Sequence, residues 1–238
     1  MDSIGLLLPQ ADAPYVADNL ATSRAAGAEL AFGRSTAGLV AQAVARSARR
    51  LIGQGRWPYW MPPGGSTPLG ALGFVNAAFE LRAQIDAQLC PEPERIYVAF
   101  SSMGTVAGLA IGLALAGLRS RVVAIQVVSD RFASRGKLDA LIGRTQQLLR
   151  QLDPAIPAMT APVEIRTEFF GSDYAVPTEA TKAAMQVFEE STGARSDSAY
   201  SGKALAGFYA DTNAAESGTT LYWHTFNVRA KAACISVP

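Results

Sequence analysis

Ser101-Ser102-Met103-Gly104-Thr105 stands between a short apolar run, Ile96-Tyr97-Val98-Ala99-Phe100, and an Ala/Gly/Leu-rich stretch over 106–117. This order is that of a strand feeding a helix through a tight loop. It leaves backbone N–H groups without partners at a helix N-terminus, where the partial positive charge of the helix attracts an anion. A phosphate group is the natural occupant. A structural reading is equally open: Gly104, Gly108, Gly112 and Gly117 would only let the helix pack closely on a sheet. Metal chemistry is not implied, because Cys90 and Cys234 lie far apart and form no CxxC pair. They give no disulfide framework either, which suits a reducing compartment.

The elements that must position this loop alternate almost throughout. Apolar spacing predicts strands over 4–8, 28–32, 57–61, 96–100, 122–128, 163–168 and 220–224. Helices are predicted over 14–26, 37–54, 69–89, 104–117, 137–152, 178–190 and 202–210. Val122-Val123-Ala124-Ile125-Gln126-Val127-Val128 is a near-continuous apolar run, typical of a strand buried on both faces. Such alternation means an α/β fold with a doubly wound, mostly parallel sheet and helices on both faces. Pro62-Pro63-Gly64-Gly65 marks a break, so one domain is expected over 1–61 and a second over 62–238. In sheets of this type ligands bind at the carboxyl ends of the strands. Gly64-Gly65-Ser66-Thr67, Ser101–Thr105 and His224-Thr225 all follow predicted strand ends.

Composition narrows the function classes. The 238 residues are 49% hydrophobic and 17% charged, with a net charge of +1. There is neither the basic excess of a nucleic-acid binder nor the acidic excess of a disordered tail. The first residues lack the basic start and longer apolar region of a signal peptide, and the longest apolar stretch, near 106–118, is too short to span a bilayer. A cytoplasmic enzyme is expected, with no membrane or nucleic-acid partner. No G-x-G-x-x-G or G-x-x-x-x-G-K-[S/T] pattern follows a predicted strand, which disfavours a plain nucleotide or sugar-phosphate binder.

Four segments, in order, resemble the pyridoxal-phosphate (PLP) enzymes of the D-cysteine desulfhydrase and aminocyclopropane-carboxylate (ACC) deaminase family, of tryptophan-synthase-β-like fold (fold type II). They are Gly64-Gly65-Ser66 with Leu69-Gly70-Ala71-Leu72-Gly73, the run Ser102-Met103-Gly104-Thr105-Val106-Ala107-Gly108-Leu109, Gly171-Ser172-Asp173-Tyr174-Ala175-Val176-Pro177, and Tyr200-Ser201-Gly202-Lys203-Ala204-Leu205-Ala206-Gly207. The resemblance implies a PLP-dependent lyase or deaminase acting on a small amino acid. By this resemblance Ser101, Ser102, Met103, Gly104 and Thr105 cradle the cofactor phosphate. Tyr174 and Tyr200 flank the cofactor, handling protons and touching substrate, and Ser201 meets the pyridine nitrogen. A hydroxyl there, rather than a carboxylate, would leave the ring nitrogen largely neutral, a weaker electron sink that suits β-elimination. That favours the desulfhydrase side of the family.

Structural readings stand beside these roles. Tyr174 and Tyr200 fit half-buried packing residues with satisfied hydroxyls. Ser201 fits a helix N-cap, a role compatible with the other. The single histidine, His224, matches a family His-Thr pair at a strand end and reads as structural or cofactor-facing rather than as a general base. Lys203 is expected either to face outward or to support the neighbouring loop.

The resemblance also fails in places. The family's Schiff-base lysine lies well upstream of the glycine-rich motifs, whereas Lys137, Lys182, Lys203 and Lys231 all follow the phosphate loop. Thr67-Pro68 stands where Asn-Ala is expected, and Phe226-Asn227 where Gly-Gly is expected. These departures imply an N-terminally truncated or split member, inactive as this chain alone. Residues 1–61 would then be a remnant of the smaller domain and 62–238 the PLP-binding domain. A homodimer or a complementary N-terminal chain would cover exposed edges. The alternative is a non-catalytic PLP- or phosphometabolite-binding protein.

Overall fold

A parallel pair needs a crossover, and the spacing of strand and helix segments supplies one each time. The computed structural model describes residues 3–9, 14–213 and 218–226. The chain divides into two compact units, the first from the described residues up to Trp60 and the second from Met61 to Phe226.

In the first unit β1 (Ile4–Leu7) pairs in parallel with β2 (Glu29–Phe32) across α1 (Pro14–Ala25), and α2 (Thr36–Gln54) follows. Ser35 caps α2, its Oγ accepting the Gly38 N–H at 3.1 Å, and Gly55 ends the helix in the left-handed conformation at φ 67°. The strand expected over 57–61 does not form. Pro58 has no N–H to give a ladder. Trp57 and Trp60 stack on one another instead, and Trp60 Nε1 donates to Ser47 Oγ at 2.9 Å. The turn at Gly64-Gly65-Ser66 therefore follows an irregular extended segment rather than a strand end.

The second unit opens with α3 (Pro68–Asp86), which Thr67 caps by accepting the Gly70 N–H at 2.9 Å. Thr67-Pro68 is thus a helix start, an N-cap with proline in the first turn. Then come β3 (Arg95–Phe100), α4 (Gly104–Leu115), β4 (Arg121–Gln126), α5 (Arg135–Leu152), β5 (Val163–Arg166), α6 (Glu179–Thr192), α7 (Ser201–Asn213) and β6 (Thr220–Tyr222). The sheet is parallel throughout, in the order β5-β4-β3-β6. Val122, in register with Ile96, sits between β3 and β5, so β3 and β4 are central and read as apolar on both sides.

Alternate residues divide the two faces. Ile96, Val98, Phe100, Val122 and Ala124 pack with residues of α3, α4 and α5, whereas Tyr97, Val123 and Ile125 pack with Ala204 and Phe208 of α7. Phe188 of α6 packs in turn against Leu205 and Ala206. This is the doubly wound α/β arrangement expected. Gly108 and Gly112 serve a different contact from the one expected, however. Their missing side chains admit α3, since a Cβ on Gly108 would lie 2.3 Å from Ala71 O and one on Gly112 2.5 Å from Val75 O. The close approach is helix on helix. Among the described residues no helix is long and apolar enough to cross a membrane.

Candidate functional site

The loop between β3 and α4 turns through Met103, whose φ of 73° is left-handed, and so aims the start of α4 back across the strand ends. The first intrahelical bond runs from Ala107 N–H to Met103 O at 2.9 Å, so the amides of Thr105 and Val106 lie ahead of the ladder. Ser66 Oγ accepts the Gly104 N–H at 3.1 Å from the neighbouring turn. The first turn of α4 holds no acidic residue. The two glycine turns touch closely: a Cβ on Gly64 would fall 2.1 Å from Ser102 Oγ, and one on Gly104 2.7 Å from Ser66 Oγ. Gly104 is buried, while Ser101, Ser102, Met103 and Thr105 are half-buried and open to solvent. Amides and hydroxyls with no carboxylate among them make a donor set for a doubly charged phosphate.

Two further segments meet near the same sheet. The loop after β5 carries Tyr174, and the start of α7 carries Tyr200 and Ser201. The hydroxyls of Tyr174 and Tyr200 hydrogen-bond to one another, and their rings meet edge to face at 5.8 Å. Tyr200 is 37% exposed, so the pair is reachable from solvent.

Asp197 organises the start of α7. Its Oδ1 accepts the amides of Ala199 at 2.9 Å and Tyr200 at 2.7 Å, and its Oδ2 accepts the Ser201 N–H at 3.1 Å. Asp197 therefore caps this helix, and Ser201, expected as a cap, is already inside it. The Ser201 hydroxyl accepts the Asp197 N–H at 2.7 Å and lies 2.5 Å from Asp197 Oδ2. Tyr222, the last residue of β6, donates its hydroxyl to Ser201 O at 3.0 Å and ties helix start to strand end. Burial is the main force pushing the Tyr222 phenol above its ordinary value, and the Asp197 charge adds to it.

Lys203 does not face outward. It is fully buried, and its Nζ donates to Phe170 O at 2.5 Å and Asp173 O at 2.9 Å, lying 4.9 Å from the centre of the Phe170 ring. It supports the loop that ends in Tyr174. Burial holds its ammonium below the usual lysine value, with the Asp173 charge opposing that shift. His224 is exposed and packs among the rings of Phe188, Tyr222 and Phe226 at 5.1, 5.8 and 6.5 Å. Asn227 and Lys231 lie outside the described residues. Among the described residues no group of His, Cys, Asp or Glu has the makings of a metal site.

A family model described as "Pyridoxal-phosphate dependent enzyme" matches residues 6–225. The chain belongs to this family. Among curated relatives, this PLP-family chain is 34% identical over 195 residues to a D-cysteine desulfhydrase of Serratia proteamaculans, covering 77% of the chain and 54% of the relative. It is 35% identical over 184 residues to one from Salmonella paratyphi B, covering 75% and 53%. The chain thus spans about half the length of these curated relatives. A crystal structure of an ACC deaminase homologue superposes with a TM-score of 0.71 at 26% identity, covering 93% of this chain and 64% of that one. A threonine deaminase of T.th. shares the fold, with a TM-score of 0.54 at 18% identity over 95% of this chain and 71% of its own.

The cofactor of this family is PLP, and the loop fits its phosphate: the glycine contacts leave room for no side chain, and the donors carry no competing charge. Of the residues named from sequence, the phosphate-loop five form one continuous turn and the two tyrosines meet. The roles of Ser66, as acceptor for the Gly104 amide, and of Asp197 were missed. Asp197 lies five residues ahead of the helix predicted from 202, and an aspartate just before a helix is a readable cap signal. The burial of Lys203 gave no signal beyond a cation among small apolar residues.

Proposed function

We propose that this chain supplies the phosphate and pyridine sides of a PLP site for D-cysteine desulfhydrase-like β-elimination on a small amino acid. The observation that carries the reading is the pairing of the Tyr174 and Tyr200 hydroxyls near a sheet that also carries an acid-free donor loop, Ser101–Thr105. When bound, the cofactor supplies an electron sink for the carbanion left at Cα. The turn Ser101, Ser102, Met103, Gly104 and Thr105 holds and orients the phosphate through its hydroxyls and its amides other than that of Gly104, which Ser66 Oγ accepts. Ser201 faces the pyridine nitrogen. Tyr174 and Tyr200 are the catalytic residues: each hydroxyl is a proton donor to the other or to substrate, so a proton leaving Cα or reaching the departing group has a relay.

The anchoring lysine is not among the described candidates. Lys203 is occupied by two carbonyls, Lys137 donates to Arg131 O, and Lys182 pairs with Glu179 on an exposed face. In this reading the lysine comes from a complementary N-terminal segment, and residues 1–61 are part of the family's smaller domain. A second copy or a complementary chain covers its exposed apolar residues, among them Val40, Val44, Leu51 and Ile52. The protein works in the cytoplasm. The second reading, a non-catalytic PLP or phosphometabolite binder, draws on the same lysine inventory.

Co-expression with a lysine-bearing N-terminal segment of a D-cysteine desulfhydrase tests the proposal. The reconstituted pair is expected to release sulfide from D-cysteine. Tyr174→Phe and Tyr200→Phe are each expected to lower that rate roughly 100-fold or more, the range of general acid–base contributions. A folded, PLP-loaded pair that releases none would contradict the enzymatic reading and favour the binder.

A further inference from the structure

A serine hydroxyl has one proton to give and two lone pairs to receive with. At Ser201 one lone pair is taken by the Asp197 N–H at 2.7 Å. Among the described residues the proton has acceptors of Asp197 alone within reach, Oδ2 at 2.5 Å and the main-chain O at 3.2 Å. Asp197 is itself surrounded by donors. The amides of Ala199, Tyr200 and Ser201 all point at its two carboxyl oxygens, so the carboxyl group is an acceptor throughout and the Ser201 proton is committed to it. Ser201 is 1% exposed, and no bulk water competes for that proton. The other polar groups nearby point elsewhere: the Tyr222 hydroxyl donates to Ser201 O, and Lys203 Nζ to Phe170 O and Asp173 O.

What remains at Ser201 Oγ is one free lone pair and no free proton. Toward a pyridine nitrogen such an oxygen is only an acceptor, and it is matched by a ring nitrogen that carries a proton. We propose that Asp197, acting through Ser201, holds the ring nitrogen of bound PLP in its protonated form. This inference rests on the cofactor reading above and reverses one expectation from the sequence, that a hydroxyl at this position leaves the ring largely neutral. A carboxylate one hydrogen bond behind the serine does the work of a carboxylate facing the ring, and it strengthens the electron sink. Asp197 is a positioning residue for Ser201, and nothing passes between them but the orientation of one O–H.

The test is nitrogen NMR of pyridoxine 5′-phosphate, 15N-labelled in the ring, bound to the intact chain. This ligand has no aldehyde, so its binding needs no lysine. The expected result is a bound signal in the protonated range at a pH where the free ligand has lost its ring proton. Asp197→Asn keeps one acceptor oxygen for the Ala199 and Tyr200 amides but puts an NH2 donor in place of the oxygen that faces Ser201 and removes the charge, and is expected to move the signal to the unprotonated range. Ser201→Ala leaves the cap of α7 in place and is expected to do the same, which keeps the test open if Asp197→Asn fails to fold. An unprotonated bound ring in the wild-type chain, or a protonated one in both variants, would overturn the inference and leave the cofactor reading intact. Absence of saturable binding would overturn both.

Discussion

Lys203 makes the strongest residue-scale prediction. Replacing it with Met leaves a buried position without its ammonium and takes the shared donor from the carbonyls of Phe170 and Asp173. The expected loss is about 3 kcal/mol, the order for hydrogen bonds from a charged group, measured by denaturant unfolding. The pH dependence separates charge from packing. Burial lowers the Lys203 value below its ordinary 10.5. Between the folded and unfolded values the unfolded chain holds a proton that the folded chain has released, so Lys203 makes stability rise with pH across that window. Lys203→Met is expected to abolish that rise. At the phosphate loop, Gly104→Val forces side-chain atoms onto Ser66, since even a Cβ would sit 2.7 Å from its Oγ. PLP affinity is expected to fall at least 10-fold by equilibrium titration, and unchanged affinity would remove the loop from the site. The turn over Ser101–Thr105 was legible in the sequence because small residues separate an apolar strand run from an Ala/Gly/Leu-rich helix, and its phosphate role is the proposal that this variant tests. The Asp197–Ser201 pairing was not, because only coordinates tell which group takes a hydroxyl proton.

At the scale of elements, helix and strand positions followed from periodicity to within a few residues, and the misses have physical causes. The strand expected over 57–61 was lost to Pro58 and to a Trp57–Trp60 stack. The helix expected to run to 89 ends at Asp86, with Gln88 in a left-handed conformation at φ 57°. Gly108 and Gly112 set the α3–α4 distance. Gly108→Ala is expected to cost about 1–3 kcal/mol, as overpacking does, because the clash is with the backbone of Ala71 and with Phe74 Cβ at 2.6 Å rather than with a flexible side chain. On the other sheet face Tyr97 is fully buried on β3 and donates to Asp211 Oδ2 at 2.7 Å, while Arg166 donates to the same oxygen at 2.8 Å. Burial, then the Asp211 hydrogen bond, raises the Tyr97 phenol above its ordinary 10.0. Its contribution is complete below pH 10 and is lost as pH rises toward the folded value, because only the unfolded chain then releases the proton. Tyr97→Phe is expected to flatten the alkaline fall in melting temperature, with Tyr222 keeping a part of it.

The whole molecule pairs a well-covered sheet with a sparse one. β3 and β4 are flanked on both edges and covered on both faces, whereas β1 and β2 form a two-stranded sheet with Phe32 half exposed. Small parallel pairs hold little stability of their own. Hydrogen exchange is expected to show β1 and β2 opening well before β3 and β4, and equal protection would contradict this. Composition and alternation made the fold class legible at this scale, but they carried no information on which apolar faces a second copy or chain would cover.

In the proposed function, this chain holds PLP by the Ser101–Thr105 loop and takes its anchoring lysine from a complementary segment, since none of the described lysines, Lys137, Lys182 and Lys203, is placed for that role. Titration with PLP, borohydride reduction and mass mapping of the product test it most directly. Saturable binding that Gly104→Val abolishes, with no stoichiometric lysine adduct, is the expected result. A stoichiometric adduct on Lys137, Lys182, Lys203 or Lys231 would contradict the second half of the claim, and no binding at all would contradict the first.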